Sequence, residues 1–255
     1  MKNEEYLLLR EAQTHKKAMR EEKVCKEKTD IDQRNKEQKN KGRMCEYLFK
    51  EPEPLCVAEA MAKYAATKRQ GEYTVEDYLA LPEEQRVELI DGVIYDMAAP
   101  TYIHQAAAYM ICRFFEEYIR KQHGVCRAVV APVDVQLDCD DRTIVQPDVM
   151  IVCDRSKFRK GRIYGAPDLI VEVLSPSTSK KDRTLKLSKY KNAGVREYWL
   201  VDTEKKKVLV YHLENGDSFA IYGFSDAVPV GIYGGDCKVD FKEVDSWIGF
   251  MYDTM

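Results

Sequence analysis

From Tyr73 onward the apolar positions alternate between helical and strand-like spacing. Thr74 with Asp77 three residues on has the form of a capping box and predicts a short helix carrying Tyr78, Leu79 and Leu81. Pro82 predicts a second short helix through Val87, Glu88 and Leu89, after which Asp91–Gly92 turns the chain into the strand VIYDM. Between His104 and about His123, apolar residues at Ala107, Met110, Ile111, Phe114, Phe115, Tyr118 and Ile119 recur at helical spacing, and Gly124 closes the segment. Strand signals then dominate. AVVAPVDVQLD alternates at Val133, Val135 and Leu137, VQPDVMIVC follows the turn CDDR, and PDLIVEVLSP and EYWLVD are continuously apolar. Between these last two, residues 182–193 form an amphipathic basic helix ended by Asn192–Ala193–Gly194. VLVYHLENGDSFAIY reads as a hairpin turning at Asn215–Gly216. The order predicts an α/β fold, a mixed sheet with helices packed on it, without internal repeats.

Charge separates the beginning of the chain from the rest. The 255 residues carry 40 Lys+Arg and 43 Asp+Glu, a net charge of −3, but residues 1–50 alone hold 14 basic and 10 acidic side chains. Apolar residues there are few beyond Leu7–Leu9 and Tyr47–Phe49. Residues 1–70 are therefore expected to be a charged extension, helical or disordered, ahead of one domain over 71–255. Apolar runs such as Val149–Cys153 are far shorter than the roughly 18 residues of a membrane span, and the first residues lack a secretory pattern. A soluble cytoplasmic protein is the expectation. Eight cysteines at 25, 45, 56, 112, 126, 139, 153 and 237 include no CxxC pair, so reduced structural thiols are expected rather than zinc ligands or disulfides.

The chemistry concentrates in the apolar strands. Glu172 is the only polar residue of LIVEVL, and a carboxylate buried there must be neutralised, paired with a cation or bound to metal. Asp148 stands in the same way at the head of VMIVC, directly after Pro147. Two acids on apolar strands suit a hard divalent cation, or one buried ion pair beside one turn-capping acid. Basic residues bracket the Glu172 strand: Arg155, Lys157, Arg159, Lys160 and Arg162 before it, and seven from Lys180 to Arg196 after it. Such a surface attracts phosphates, although a solvated helix face has the same composition. No GxSxG elbow and no GxxxxGK[ST] loop occurs, which excludes those serine-hydrolase and nucleotide-binding readings.

VELIDGVIYDM, the helix start at His104, QPDVMIV, PDLIVEVLSPST, the Asp182-xxx-Lys186-xxx-Tyr190 helix and GVREYWLVD together resemble the Uma-two family of restriction endonucleases, in the PD-(D/E)xK nuclease superfamily. The resemblance runs from about Tyr73 to Trp247. It implies a restriction-endonuclease-like core and Mg²⁺-dependent hydrolysis of phosphodiester bonds in DNA, with Mn²⁺ as a substitute. Asp148 matches the aspartate of the PD motif, Glu172 the second acid, and Glu88 the acid that completes the metal shell. The family lysine normally follows the second acid by two positions, where this chain has Leu174; Lys186 on the next helix is the displaced match, with Lys181 and Lys189 as alternatives. The implied catalytic set is thus Glu88, Asp148, Glu172 and Lys186. His104, Gln146 and Tyr190 would surround it, and Lys180, Lys181, Arg183 and Lys189 would contact DNA. A homodimer is expected from the need to cut two strands. The alternatives are a catalytically silent nucleic-acid-binding module on the same fold and a protein-interaction domain.

Overall fold

Strand pairing organises the described residues of the computed structural model, which are 68–250 except Glu83, 138–140, Lys160 and 215–217; residues 1–67 of the charged extension and the Asn215–Gly216 turn lie outside them. In the first sheet are β1 (Val87–Ile90), β2 (Val93–Asp96), β4 (Val135–Gln136), β5 (Ile144–Val145), β7 (Phe158–Arg159) and β8 (Arg162–Tyr164), ordered β2-β1-β5-β4-β8-β7. The second holds β3 (Arg127–Val130), β6 (Val149–Val152), β9 (Leu169–Val173), β10 (Glu197–Asp202), β11 (Lys207–His212) and β12 (Ser218–Gly223), ordered β12-β11-β10-β9-β6-β3. Both sheets are mixed, since β9–β10 and β4–β8 run parallel while their other pairs are antiparallel. A small ribbon, β13 (Ala227–Pro229) with β14 (Lys238–Asp240), completes the strands. The helices are α1 (Val75–Leu79), α2 (Tyr102–Lys121), α3 (Ser179–Lys181), α4 (Leu187–Ala193) and α5 (Phe241–Gly249). None among the described residues is long and apolar enough to cross a membrane.

Local chemistry explains the boundaries. The capping box at α1 forms as expected, with the Asp77 amide donating to Thr74 Oγ1 and the Thr74 amide to the Asp77 carboxylate. The helix expected through Glu88 is instead β1. Asp91 (φ 52°) and Gly92 (φ 76°) form a left-handed two-residue turn that pairs Ile90 with Val93 and Val87 with Asp96. Helix α2 begins at Tyr102, where Thr101 accepts from the His104 amide at 3.3 Å. Thr101→Ala is expected to lower the unfolding free energy by about 0.5–2 kcal/mol, read from urea denaturation. The left-handed residue after α2 is His123 (φ 49°) rather than Gly124, whose amide donates to the Ile119 carbonyl at 2.8 Å.

Two strand expectations divide. AVVAPVDVQLD breaks at Ala131–Pro132, sending β3 to the second sheet and β4 to the first, because proline cannot donate to a ladder. VQPDVMIVC likewise places β5 in the first sheet and β6 in the second, with Gln146, Pro147 and Asp148 crossing between them. The expectation of reduced thiols is also corrected. The β3–β6 ladder ends at Arg127↔Val152, so the neighbouring positions Cys126 and Cys153 face each other, and a disulfide joins them. Cys112 and Cys237 are free, and the other cysteines lie outside the described residues.

The central strands of the second sheet, β6, β9 and β10, are buried on both faces. One face packs Val149, Ile151, Val171 and Trp199 against Phe115 and its neighbours on α2 and against Phe241 and Val244 of α5. Phe115 meets Trp199 edge-to-face at 5.8 Å. The other face packs Met150, Ile170, Tyr198 and Leu200 against Tyr190 of α4 and against Ile90, Val135 and Ile163 of the first sheet. That second interior is where the polar residues gather.

Candidate active site

Strand alternation aims the acids. In β9 the odd positions Leu169, Val171 and Val173 join the α2 core, so Ile170 and Glu172 face the interior between the sheets. In β1 Ile90 belongs to that same interior, and Glu88 lies two residues away on its side of the strand. Glu88 and Glu172, from different sheets, are 1% and 4% exposed. Both line one cleft of about 870 Å³, together with His104, Gln146, Asp148 and Lys186.

A cation fills the space between the two glutamates. Residues Asp182–Lys186 form a π-turn that joins α3 to α4. At about 100° per residue, side chains at i, i+4 and i+8 of a regular helix drift progressively off one line. A wider turn takes up part of that drift, and Asp182, Lys186 and Tyr190 are all buried. Lys186 Nζ lies 2.7 Å from Glu88 Oε1, 2.9 Å from Glu172 Oε1 and 3.7 Å from Asp182 Oδ1. The Tyr190 hydroxyl donates to Glu172 Oε1 at 2.6 Å. Lys181 reaches Glu88 Oε2 at 2.8 Å while its ammonium stands 4.9 Å from the centre of the Tyr95 ring.

Asp148 forms the adjoining wall. Its Oδ2 accepts from the Val173 amide at 2.8 Å and lies 3.2 Å from His104 Nε2. Gln146 donates its backbone amide to Glu88 Oε1, and its side-chain Nε2 to Asp134 Oδ1 at 2.9 Å and to the Tyr78 hydroxyl at 3.2 Å. Those two acceptors fix the amide orientation, leaving Gln146 Oε1 buried without a hydrogen-bond partner.

Electrostatics distinguish the acids. Burial pushes Glu172 up to about 8, with Asp148, Asp182 and Glu88 adding to the rise and Lys186 opposing it. Burial also opposes the charge of Glu88, but Lys186 and Lys181 outweigh it and hold this carboxyl below its ordinary range. Lys186 is raised well above a free lysine, because Glu172, Glu88 and Asp182 overcome the burial that would discharge it. His104 is raised as well, burial being outweighed by its contact with Asp148.

The sequence-selected residues thus divide. Glu88, Asp148, Glu172, Lys186, His104, Gln146, Tyr190 and Lys181 meet around the cleft interior. Lys189 turns away to Asp91 at 2.7 Å, Arg183 to Asp202 at 3.4 Å, and Lys180 is exposed. Ser175 accepts from the Thr178 amide, as a capping residue would. Sequence reasoning passed over Asp134 and Tyr78, whose loop and α1 contexts carried no signal. It matched Asp182 to the family pattern without giving it a place in the site, although an acid four residues before the lysine was a readable cue.

The donor set fits a hard cation in part. Asp148 and Glu172 supply carboxylate oxygens on one cleft, which Gln146, whose Oε1 has no hydrogen-bond partner, also lines. Glu88 has both oxygens engaged by lysines. Among the described residues no three His, Cys, Asp or Glu side chains stand together as a ligand cluster.

Comparison with known proteins agrees with this architecture. Residues 75–227 match the Uma2 family model, described as "Putative restriction endonuclease". The uncharacterized protein slr1290 of Synechocystis sp. is 29% identical over 170 residues, 65% of this chain and 88% of that protein. A crystal structure titled as a "putative nuclease belonging to DUF820" from Anabaena variabilis shares the fold at a TM-score of 0.58 and 23% identity, over 69% of this chain and 98% of that one. The matched span takes in Glu88, Asp148, Glu172 and Lys186 alike, and the chain belongs to the Uma2 family.

Proposed function

We propose that this protein is an endonuclease that hydrolyses phosphodiester bonds in DNA with Mg²⁺, for which Mn²⁺ can substitute. The observation that carries the reading is a charged lysine, Lys186, seated between acids of two sheets in the cleft that also exposes Asp148. In this reading Asp148 and Glu172 hold the cation. When bound, it supplies an acidified water and charge stabilisation for the phosphate. Lys186 brings a permanent positive charge to the reacting phosphate and orients the attacking water. Glu88 keeps that ammonium charged and in place rather than binding metal. His104 holds Asp148 from one side and the Val173 amide holds it from the other, so the carboxylate meets the cleft in one orientation.

A phosphate polyanion is the substrate favoured by the local charge, with Lys180 exposed on α3 beside Lys181, which lines the cleft. The family's description as a restriction endonuclease makes DNA the reading. Two copies related by a two-fold axis would supply one site for each strand.

Nicking of supercoiled plasmid in Mg²⁺ or Mn²⁺ tests the reading. EDTA is expected to abolish nicking and excess Mg²⁺ to restore it. DNA binding without nicking under any divalent cation would instead leave a silent binding module, and neither binding nor nicking would remove nucleic acid from the account.

A further inference from the structure

Lys186 already holds one oxygen of Glu172, the acid that would meet a cation in this reading. Its ammonium is 2.9 Å from Glu172 Oε1, which also accepts from Tyr190 at 2.6 Å, so that oxygen already has two donors. A divalent ion held by Asp148 and Glu172 would bring a second cation against the same carboxylate, and like charges at such range repel strongly where little water screens them.

The surroundings offer the ammonium one place to go. Asp182 lies four residues before Lys186 on the π-turn and is 2% exposed. Its Oδ1 is buried, has no hydrogen-bond partner and stands 3.7 Å from Lys186 Nζ. A displacement of about 1 Å would bring the pair to hydrogen-bond distance. Glu88 Oε1, at 2.7 Å, is a second partner of the same ammonium. A buried carboxylate oxygen left without a hydrogen bond is costly unless some state of the protein uses it.

We propose that Lys186 and the divalent cation compete for Glu172, and that Asp182 is the positioning residue that receives the lysine when the cation binds. The proposal rests on the metal-dependent reading above and adds a role for the chain's own cation. Lys186 guards a buried carboxylate before metal arrives. It then moves toward Asp182 without leaving the cleft, and stands ready beside the phosphate.

Mn²⁺ titration of the full-length protein without DNA tests this, with the free ion followed by electron paramagnetic resonance. Four proteins are compared: wild type, Lys186→Met, Asp182→Asn and the double variant. Lys186→Met is expected to bind Mn²⁺ at least tenfold more tightly than wild type, because the competitor is gone. Asp182→Asn is expected to bind at least threefold more weakly, because the ammonium loses its second seat. In the Lys186→Met background, Asp182→Asn should make no further difference, since Asp182 acts only through the lysine.

A persistent loss in that background would show Asp182 acting directly on the metal and would overturn the proposal. Unchanged or weaker binding by Lys186→Met beside a wild type that binds would overturn it too, while leaving the metal-dependent reading in place. If none of the four proteins binds Mn²⁺, both fall together. Circular dichroism confirms the fold of each, and Lys186→Gln carries the same arm should the methionine variant not fold.

Discussion

Glu172→Gln is expected to abolish metal-dependent cleavage and to leave the fold in place. If Glu172 helps hold the cation as proposed, losing its carboxylate removes several kcal/mol of transition-state stabilisation, a fall of roughly 10³-fold or more in kcat/KM. Stability should change by no more than about 1 kcal/mol. The amide keeps the shape of the side chain, the Tyr190 hydroxyl can still donate to its oxygen, and Lys186 retains Glu88 and Asp182. Plasmid nicking and urea denaturation of the same preparation separate the two effects. Cleavage at the wild-type rate would take Glu172 out of the mechanism.

The equivalent change at Glu88 should strike stability first. Glu88 receives Lys186 on one oxygen and Lys181 on the other at 1% exposure, so Glu88→Gln strips a shared counter-charge from two lysines at once. Removing one partner from a buried ion pair costs about 3–5 kcal/mol, and a loss of that size is expected from urea denaturation at neutral pH. Burial opposes the charge of Glu88, yet Lys186 and Lys181 hold its folded pKa below the 4.5 of a free glutamate. A depressed carboxyl stabilises the folded chain fully above the unfolded value and loses that contribution as pH falls through the folded one. The gap between wild type and variant should therefore narrow in acid. A neutral-pH difference under about 1 kcal/mol would mean that the other acids suffice for the lysines.

How much of this was readable depends on what each residue needed. Glu172 stood out because one carboxylate in a run of branched apolar residues has no inexpensive explanation in a strand buried on both faces. Tyr190 and Lys186 were recognised by resemblance, as parts of the Asp182-xxx-Lys186-xxx-Tyr190 pattern. Glu88 was recognised by resemblance but placed on the wrong element. The segment PEEQRVEL has helix-forming composition, and the Asp91–Gly92 dipeptide, the stronger signal, required a partner strand before it as well as after it. The division of AVVAPVDVQLD and VQPDVMIVC between two sheets was hidden, since alternation reports which residues are buried and not against which layer. The Cys126–Cys153 disulfide was hidden for a similar reason, being a product of strand register between segments 27 residues apart. Asp134 and Tyr78 act on Gln146 across the fold, and such long-range polar partners leave no periodic trace.

The π-turn has a consequence for how this chain can vary in length. Because the widened segment sits between Lys181 and Tyr190, losing a single residue among 183–185 would wind it back into an ordinary helix. The wide turn holds one residue more than an ordinary turn over nearly the same rotation, so Lys181 would keep its direction toward Glu88, and the lysine and tyrosine that follow would keep theirs toward Glu172. A relative that lacks the extra residue should carry its lysine one place out of step in any sequence alignment, so that a column-by-column comparison would score an intact site as a lost one.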